Sequence, residues 1–277
     1  MTSASSTLAA TIRQYDRERY LTALFAPADR REDLLALYAF NLEVAKTREV
    51  VREPMLGQIR LQWWRDALDE IFGGRTARRH ETVEPLAEAI RRRNLPHEPF
   101  ERLLLARERD LDDTPFAALS ELEAYAEQTS GELMALALVV LGAADPTLQE
   151  IARRTGRGYA LTGILRAVPF HARQHRCLLP SELLATHGTD RDGVLSMRAS
   201  PRLAAAVAEV AEAAEAALWP ARVPAVAWPA LAPAILARRH LRRLKRAAHD
   251  VFAPSVAAEP GPGAILALIG GSIRRRA

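Results

Sequence analysis

The sequence predicts an all-α protein with a single domain, and three observations support this prediction. Apolar residues recur at the spacing of an α-helix, as in Leu34, Leu37, Tyr38 and Val44, which places them on one helical face. Alternating runs of β-branched residues are missing, and no Asn-Gly or Asp-Gly pair joins two apolar segments, so β-hairpins are not expected. The 277 residues suit one large helical domain and contain no fixed-period repeat.

The spacing of apolar residues, together with Gly and Pro positions, divides the chain into helices. In chain order we expect them at about 8–25, 30–51, 56–72, 83–94, 97–111, 120–141, 146–168, 201–219, 230–252 and 264–277. Residues 169–200 contain several Pro and Gly residues and are expected to be looser. The predicted organisation is a flexible tail at 1–7, a helical domain at 8–253, a Pro/Gly linker at 254–263 and a short basic helix at 264–277.

Several helix starts carry a recognisable signal. Asp29 followed by Glu32 has the spacing of a capping box. The pairs Thr114-Pro115, Asp145-Pro146 and Ser200-Pro201 each place a capping side chain before a proline in the first turn. We therefore expect a helix to begin at each of these four places.

Composition excludes several classes of protein. Hydrophobic residues make up 49% and charged residues 26% of the chain, which is ordinary for a folded domain. One cysteine, Cys177, cannot form an intramolecular disulfide and fits a reducing compartment. No apolar run approaches the roughly 20 residues of a membrane span, and the N-terminus lacks a basic segment before an apolar one. We expect a cytoplasmic protein.

The common catalytic motifs are also missing. The sequence has no P-loop, no strand–GxGxxG–helix unit, no HExxH, no cysteine pair for zinc and no GxSxG. What remains is a set of acids on helices, such as Glu49/Glu53, Asp66/Glu70 and the cluster Asp110–Asp113. Acids one turn apart can share Mg²⁺, but neighbouring arginines favour ordinary ion pairs.

The run Arg238–Arg246 is the most basic segment of the chain. Leu241 and Leu244 form an apolar stripe, which indicates a core helix with a basic outer face; docking on an anionic membrane surface is the sharper alternative. Nucleic-acid binding is not expected, because no aromatic residues interleave with the basic ones. The segment 264–276 is either a packed terminal helix or an interfacial anchor.

Several segments together resemble the squalene/phytoene synthase family of helical prenyltransferases. They occur in the family's order and are Leu37–Phe40, Leu61–Leu68, Arg109–Leu111, Leu161–Arg166, Arg176–Pro180 and His249–Phe252. The resemblance implies a single-domain helical bundle of the isoprenoid-synthase type. It also implies a cavity in which active members bind prenyl diphosphates through Mg²⁺ held by two DxxxD motifs.

Both aspartate motifs are eroded at the positions that the resemblance assigns to them. The first falls at Ala45 to Glu49, with Lys46 where a second acid often stands, and the second falls at Ala167 to His171. A methyl group cannot bind Mg²⁺, and histidine is a poorer ligand for this hard cation than a carboxylate. Pro169 is expected to disturb the second helix.

Other positions keep the family's residue types, namely Glu49, Asp110, Tyr125, Arg166 and Arg176, with Asp113 nearby. The resemblance therefore implies a polar cavity in a degenerate enzyme, with no catalytic residue assigned and no cofactor expected. Mg²⁺ is expected only with residual prenyltransferase activity, through Glu49, Asp110 and Asp113.

The departures are similar to those in the branch of the family that contains the mitochondrial assembly factor for respiratory complex I. This similarity implies a non-catalytic role beside subunits or assembly intermediates of NADH dehydrogenase. The Ala/Arg-rich composition favours a bacterial version, peripheral on the inner face of the cytoplasmic membrane. Two alternatives stay open: an active enzyme that joins two prenyl diphosphates, and a module that binds an isoprenoid or a quinone.

Overall fold

A computed structural model describes residues 4–51, 53–218, 222–257 and 261–274, and within these ranges the chain forms helices and no β-strand. The α-helices are α1 (Ala4–Tyr15), α2 (Arg17–Ala23), α3 (Ala28–Ala45), α4 (Thr47–Val50), α5 (Pro54–Phe72), α6 (Val83–Arg93), α7 (Glu98–Glu108), α8 (Leu119–Ala126), α9 (Glu132–Leu141), α10 (Pro146–Arg173), α11 (Ser181–Thr186), α12 (Arg191–Leu195), α13 (Pro201–Ala217), α14 (Trp228–Leu231), α15 (Pro233–Arg246), α16 (Pro254–Ala257) and α17 (Pro262–Arg274). A 3₁₀ turn at Arg109–Leu111 follows α7, and a π-helical segment at Glu127–Gly131 joins α8 to α9. The predicted all-α fold is confirmed.

Two of the predicted helix starts are correct in detail. The Asp145 carboxylate accepts a hydrogen bond from the backbone N–H of Leu148 at 3.0 Å, and the Ser200 hydroxyl accepts one from Leu203 at 3.2 Å. Each side chain satisfies one of the N–H groups that the first turn of a helix leaves unpaired.

The other two predicted starts are wrong. Helix α3 begins after Pro27, and no side chain caps it, so Asp29 lies in the first turn instead of capping it. The signal at Thr114-Pro115 starts no helix, and the next helix begins at Leu119, one residue before the start expected at 120. Asp112 accepts the Thr114 N–H at 2.8 Å, and this local turn keeps the segment out of a helix.

Several predicted boundaries also move. The predicted 8–25 helix is divided at Asp16, whose carboxylate caps α2, and α1 begins at Ala4, inside the predicted tail. Helix α3 ends at Ala45, and the short helix α4 follows Lys46. The predicted linker contains α16 and the first turn of α17. Residues 1–3, 258–260 and 275–277 lie outside the described part of the chain.

Pro169 does not disturb its helix as expected. Helix α10 continues through it to Arg173, although a proline removes one backbone hydrogen bond from a helix interior. The tertiary contacts explain this, since Val168 and Ala172 on either side of Pro169 are buried. The positions 167–171 are therefore helical and share one continuous element with Arg166.

Helix α10 is the centre of the bundle. It packs against α13, α9, α15, α8 and the π-helical segment. One apolar cluster on its N-terminal side is built mainly from α3, α5, α7 and α9, and a second cluster is built from α8, α10, α13 and α15. Tyr159 of α10 packs against both clusters. No helix in the described ranges is long and apolar enough to cross a membrane.

The closest helix crossing lies where α10 meets the π-helical segment. A Cβ atom added to Gly156 would lie 2.5 Å from both the Gly131 Cα and the Ser130 carbonyl oxygen. Both atoms belong to backbone, so neither can turn away as a side chain would. Only glycine fits at position 156 of this crossing.

We therefore expect Gly156→Ala to lower the free energy of unfolding by about 2–3 kcal/mol, because the new methyl group must push two backbones apart. The matched control is Gly163→Ala on the same helix, where a Cβ would meet nothing within 4 Å. This control should raise stability by about 0.5–1 kcal/mol. Urea unfolding measures both, and equal effects of the two variants would contradict the close crossing.

Candidate functional site

A polar cavity of about 300 Å³ lies between α2, α3, α7, α10 and α15. Its walls carry an unusual density of charged groups for an interior space. The charged lining residues are Asp16, Glu18, Arg19, Arg48, Glu49, Arg107, Asp110, Arg166 and Arg176, with His171 and His240. The apolar part of the lining includes Leu42, Ala45, Ile164, Ala167, Phe170 and Leu178.

Most of the residues predicted for the site do meet in this cavity. Those that line it are Ala45, Glu49, Asp110, Tyr125, Arg166, Ala167, His171 and Arg176. The two positions of the eroded motifs thus face the same space from α3–α4 and from α10.

Lys46 and Asp113 are placed differently from the prediction. Lys46 follows the end of α3, and its ammonium lies 3.0 Å from the centre of the Tyr15 ring, so it stacks on α1 instead of entering the cavity. Asp113 follows an extended residue, Asp112, and is exposed. Its carboxylate pairs with Arg48 at 2.9 Å and with Arg176 at 3.4 Å.

A buried carboxylate, Glu18 of α2, holds one wall of the cavity together. It accepts hydrogen bonds from Arg166 Nη1 at 2.6 Å and from the Tyr159 hydroxyl at 2.9 Å. His240 Nε2 of α15 lies 2.7 Å from the same carboxylate. Burial alone would raise the pKa of Glu18, but the His240 hydrogen bond and the Arg166 charge outweigh burial and lower that pKa to about 2.

A second network closes the opposite part of the lining. The Tyr125 hydroxyl donates to Asp110 Oδ1 at 2.6 Å and accepts from Arg107 Nη1 at 2.8 Å. Arg107 also donates to Asp110 Oδ2 at 3.1 Å, and Arg176 donates to the Asp110 carbonyl at 2.9 Å. Burial raises the pKa of the Tyr125 phenol well above its usual range, so this tyrosine stays protonated and keeps donating to Asp110.

Arg19 forms a third network next to Glu18. Its guanidinium pairs with Asp16 at 2.7 Å, donates to the Ser130 hydroxyl at 3.1 Å and lies 4.8 Å from the centre of the Tyr159 ring. Asp16, Glu18 and Asp110 are thus each neutralised by an arginine. The charges of the cavity are mostly satisfied within the protein.

His171 stands where the second motif would place a carboxylate. Burial, with the nearby Arg176 charge, lowers the pKa of His171 to about 4, so the ring is neutral at pH 7. Its buried Nδ1 atom has no hydrogen-bond partner. The position therefore offers a neutral imidazole instead of a negative charge.

The residues present do not fit the Mg²⁺ ions that the family's active members use. Among the described residues, the acids and histidine that converge at metal-ligand distance are Asp69, His97 and Glu101, which lie outside the cavity lining. Glu49, Asp110 and Asp113 form no such group, and arginines already bind Asp110 and Asp113. Mg²⁺ prefers free carboxylate oxygens and water, which this lining does not supply as a cluster.

Sequence analysis missed Glu18, Arg19, Arg107, Tyr159 and His240 as cavity residues. Glu18 and His240 are separated by 222 positions, and no spacing rule joins residues so far apart. One local signal was available, since Glu18 and Arg19 are adjacent charged residues in a short helix that lies beside the core.

The chain belongs to the squalene/phytoene synthase family, whose model matches residues 12–260. It is 32% identical over 250 residues to complex I assembly factor 6 of Rattus norvegicus, covering 88% of this chain and 75% of that protein. The Homo sapiens assembly factor 6 is 30% identical with the same coverage. A phytoene synthase of Arthrospira platensis is 28% identical over 192 residues, covering 62% of this chain and 59% of the synthase.

Solved structures confirm the isoprenoid-synthase type of fold. Squalene synthase HpnC of Alicyclobacillus acidocaldarius superposes with a TM-score of 0.77 at 19% identity, covering 89% of this chain and 95% of HpnC. A ligand-bound dehydrosqualene synthase gives a TM-score of 0.80 at 18% identity, covering 98% of this chain and 95% of the synthase. The expected resemblance and the helical bundle are both confirmed.

We expect Glu18→Gln to lower the free energy of unfolding by about 3 kcal/mol at pH 7, because it leaves Arg166 and His240 without their buried anion. The low pKa of Glu18 means that its stabilisation is complete above pH ~4.5 and disappears as the pH falls towards 2. The difference between wild type and variant should therefore shrink over that range.

The control is Glu88→Gln, which removes an exposed carboxylate paired with Arg92 one turn away. Such surface pairs contribute under about 0.5 kcal/mol. Urea unfolding across the pH range measures both variants. A pH-independent difference for Glu18→Gln would contradict the assigned ionised state.

Proposed function

We propose that this protein is a non-catalytic factor in the biogenesis of respiratory complex I, the membrane NADH dehydrogenase. One observation carries the proposal: at the positions where the family's active members hold metal, the cavity presents Ala45, Ala167 and a neutral His171. The similarity to complex I assembly factor 6 over 88% of this chain supports complex I as the target of that role.

The physical argument concerns the charge of the reaction that active relatives carry out. A departing diphosphate develops negative charge, and divalent cations offset it. Here the carboxylates that remain buried at the cavity, Glu18 and Asp110, are each held by an arginine. Without a metal cluster the cavity cannot assist ionisation in the usual way, so the scaffold serves another purpose.

We infer that the partners are subunits or assembly intermediates of complex I, met on the cytoplasmic side of the membrane that holds the complex. No catalytic residue and no cofactor is assigned. A protein in this role needs the shape of the bundle more than the chemistry of its cavity. That requirement is consistent with a tightly packed core around a cavity whose charges are internally paired.

Binding of an isoprenoid or a quinone is a second candidate function. Leu42, Ile164 and Phe170 give the cavity an apolar part, and Phe170 is exposed at its edge. A polar head group could meet the unpartnered Nδ1 atom of His171. Native mass spectrometry of protein purified from its own cells would detect a retained lipid, and repeated lipid-free spectra would exclude a tightly bound one.

Deletion of the gene distinguishes a role in the assembly of NADH dehydrogenase from a role in the synthesis of squalene or carotenoids. We expect loss of assembled NADH dehydrogenase on native gels, with unchanged squalene and carotenoid content. Complementation with the wild-type gene, and with the Glu49→Gln variant, should restore assembly, since the proposed role does not use this exposed cavity carboxylate for chemistry. A deficit in squalene or carotenoids with normal NADH dehydrogenase would overturn the proposal in favour of an active prenyltransferase.

An assay of pyrophosphate release tests whether the protein has lost prenyltransferase activity. Purified protein with farnesyl or geranylgeranyl diphosphate, Mg²⁺ and NADPH should release no pyrophosphate, because the metal ligands are missing. The triple variant Ala45→Asp, Ala167→Asp, His171→Asp returns carboxylates to three positions that line the cavity. It should gain measurable Mg²⁺-dependent binding of the diphosphate in calorimetry.

The matched control is Lys46→Asp, because position 46 lies outside the cavity lining and should restore nothing. Release of pyrophosphate by the wild-type protein would overturn the proposal of a non-catalytic role. If the triple variant folds but still fails to bind, the cavity itself has changed along with the motifs.

A further inference from the structure

Helix α17 carries two separate apolar faces. Ala264 and Leu268 are buried against the domain. Four large aliphatic residues, Ile265, Leu266, Ile269 and Ile273, lie within an arc of about 100° on another side of the helix and are exposed. Leu266 is 69% exposed and Ile273 is 77% exposed. Packing of α17 on the domain therefore accounts for Leu268 but leaves the other four of its five Leu and Ile side chains exposed.

The neighbouring helix α15 supplies a basic surface. Its inward face is buried through His240, Leu241 and Leu244, while Arg242, Lys245 and Arg246 are exposed. Helix α15 packs against α17, and the guanidinium of Arg239 lies 3.0 Å from the position of a Cβ on Gly263, in the first turn of α17.

Residues 239, 242 and 246 share one face of a helix because they are three and seven positions apart. Arg239 fixes where that face lies: beside the start of α17. Arg242 and Arg246 therefore extend a basic strip away from the same border, and Arg274 adds a cation at the far end of α17.

The basic residues of the chain are concentrated in its C-terminal part, which contains α15 and α17. Residues 216–277 contain ten Lys and Arg but only two acids, Asp250 and Glu259, whereas residues 1–215 contain 28 basic and 32 acidic residues. The net charge of +4 thus hides a strongly basic C-terminal part attached to a mildly acidic remainder. Helices α15 and α17 contain no acidic residue at all.

We propose that α17, together with the basic strip of α15, docks this protein on an anionic lipid surface. The exposed aliphatic side chains of α17 would enter the interfacial region of the bilayer, while Arg242, Lys245 and Arg246 would meet lipid phosphates. An in-plane helix with an apolar face and flanking cations binds anionic membranes through both contributions. The helix lies on the membrane and does not span it.

The chemistry favours lipid over other anionic partners. The exposed face of α17 is purely aliphatic, without the aromatic side chains that stack on nucleic-acid bases or anchor protein interfaces. The cations come from long, exposed side chains, which suit a fluid layer of phosphates instead of a fixed pattern of acids. A membrane surface satisfies both features at once.

Vesicle flotation tests the proposal with the full-length protein. Vesicles of phosphatidylcholine with about one third phosphatidylglycerol should bind it, and vesicles of phosphatidylcholine alone should bind it at least about tenfold more weakly. Binding should weaken as salt is raised, because screening acts on the exposed cations. Equal binding to both vesicles, or binding to neither, would overturn the proposal.

Substitution of the exposed cations of α15 tests whether this surface binds the vesicles. The triple variant Arg242→Gln, Lys245→Gln, Arg246→Gln should lower the affinity for anionic vesicles by about a hundredfold. The control Arg13→Gln, Arg79→Gln, Arg198→Gln removes three exposed cations elsewhere and changes the net charge equally. The control should keep its affinity within about a factor of three. If both triple variants lose the same affinity, net charge alone drives binding and this surface is not the site.

Apolar variants test the role of α17. Leu266→Asn with Ile273→Asn should lower the affinity at least about tenfold, whereas Met55→Asn with Leu105→Asn, which changes two equally exposed residues on α5 and α7, should leave it unchanged. All four positions are exposed, so the melting temperature is expected to stay near that of wild type and serves as the check on folding. Unchanged vesicle binding by the folded Leu266→Asn, Ile273→Asn variant would overturn the role of α17.

Discussion

The buried anion of Glu18 is the interaction on which the interior of this bundle depends. It joins α2 to Arg166 and Tyr159 of α10 and to His240 of α15, three segments that are far apart in sequence. A carboxylate without partners could not be buried there, because its desolvation would outweigh any gain in packing. Its low pKa records how completely the surrounding donors compensate for the loss of water. The cavity wall is rigid because each partner is held by the same two oxygen atoms.

The same principle applies to the second network of the cavity. Where metal ions would require free carboxylates, this chain has built closed sets of donors and acceptors, such as Asp110 with Tyr125 and Arg107. A low-dielectric interior makes satisfied networks strong and unsatisfied groups costly. Ala45 and Ala167 therefore lie in a cavity whose buried carboxylates, Glu18 and Asp110, have their partners within the protein.

The sequence was informative at several places where the signal was local, although the local signals at Asp29 and Thr114 misplaced two helix starts. The caps at Asp145 and Ser200 and the end of α5 before Gly73 follow from short patterns, and the structure confirms them. The errors arose where tertiary contacts override local preference, as in the continuous helix through Pro169. They also arose where a single residue changes direction, as at Lys46 after α3. The contacts of His240 with Glu18 lay beyond any pattern, because only the folded bundle brings those helices together.

The π-helical segment at Glu127–Gly131 sets the rotation of α9 relative to α8 within one continuous helical stretch. One additional residue in that turn allows Tyr125 on α8 and Leu133 on α9 to point inward together. An ordinary α-helical turn would rotate everything after it by about 100° relative to what precedes it. Removing a single residue between 127 and 131 would therefore rotate the whole of α9, which is buried on nearly every side, against its neighbours α3, α7 and α10. A deletion of one residue in this turn would change more core contacts of this protein than many separate substitutions within α9.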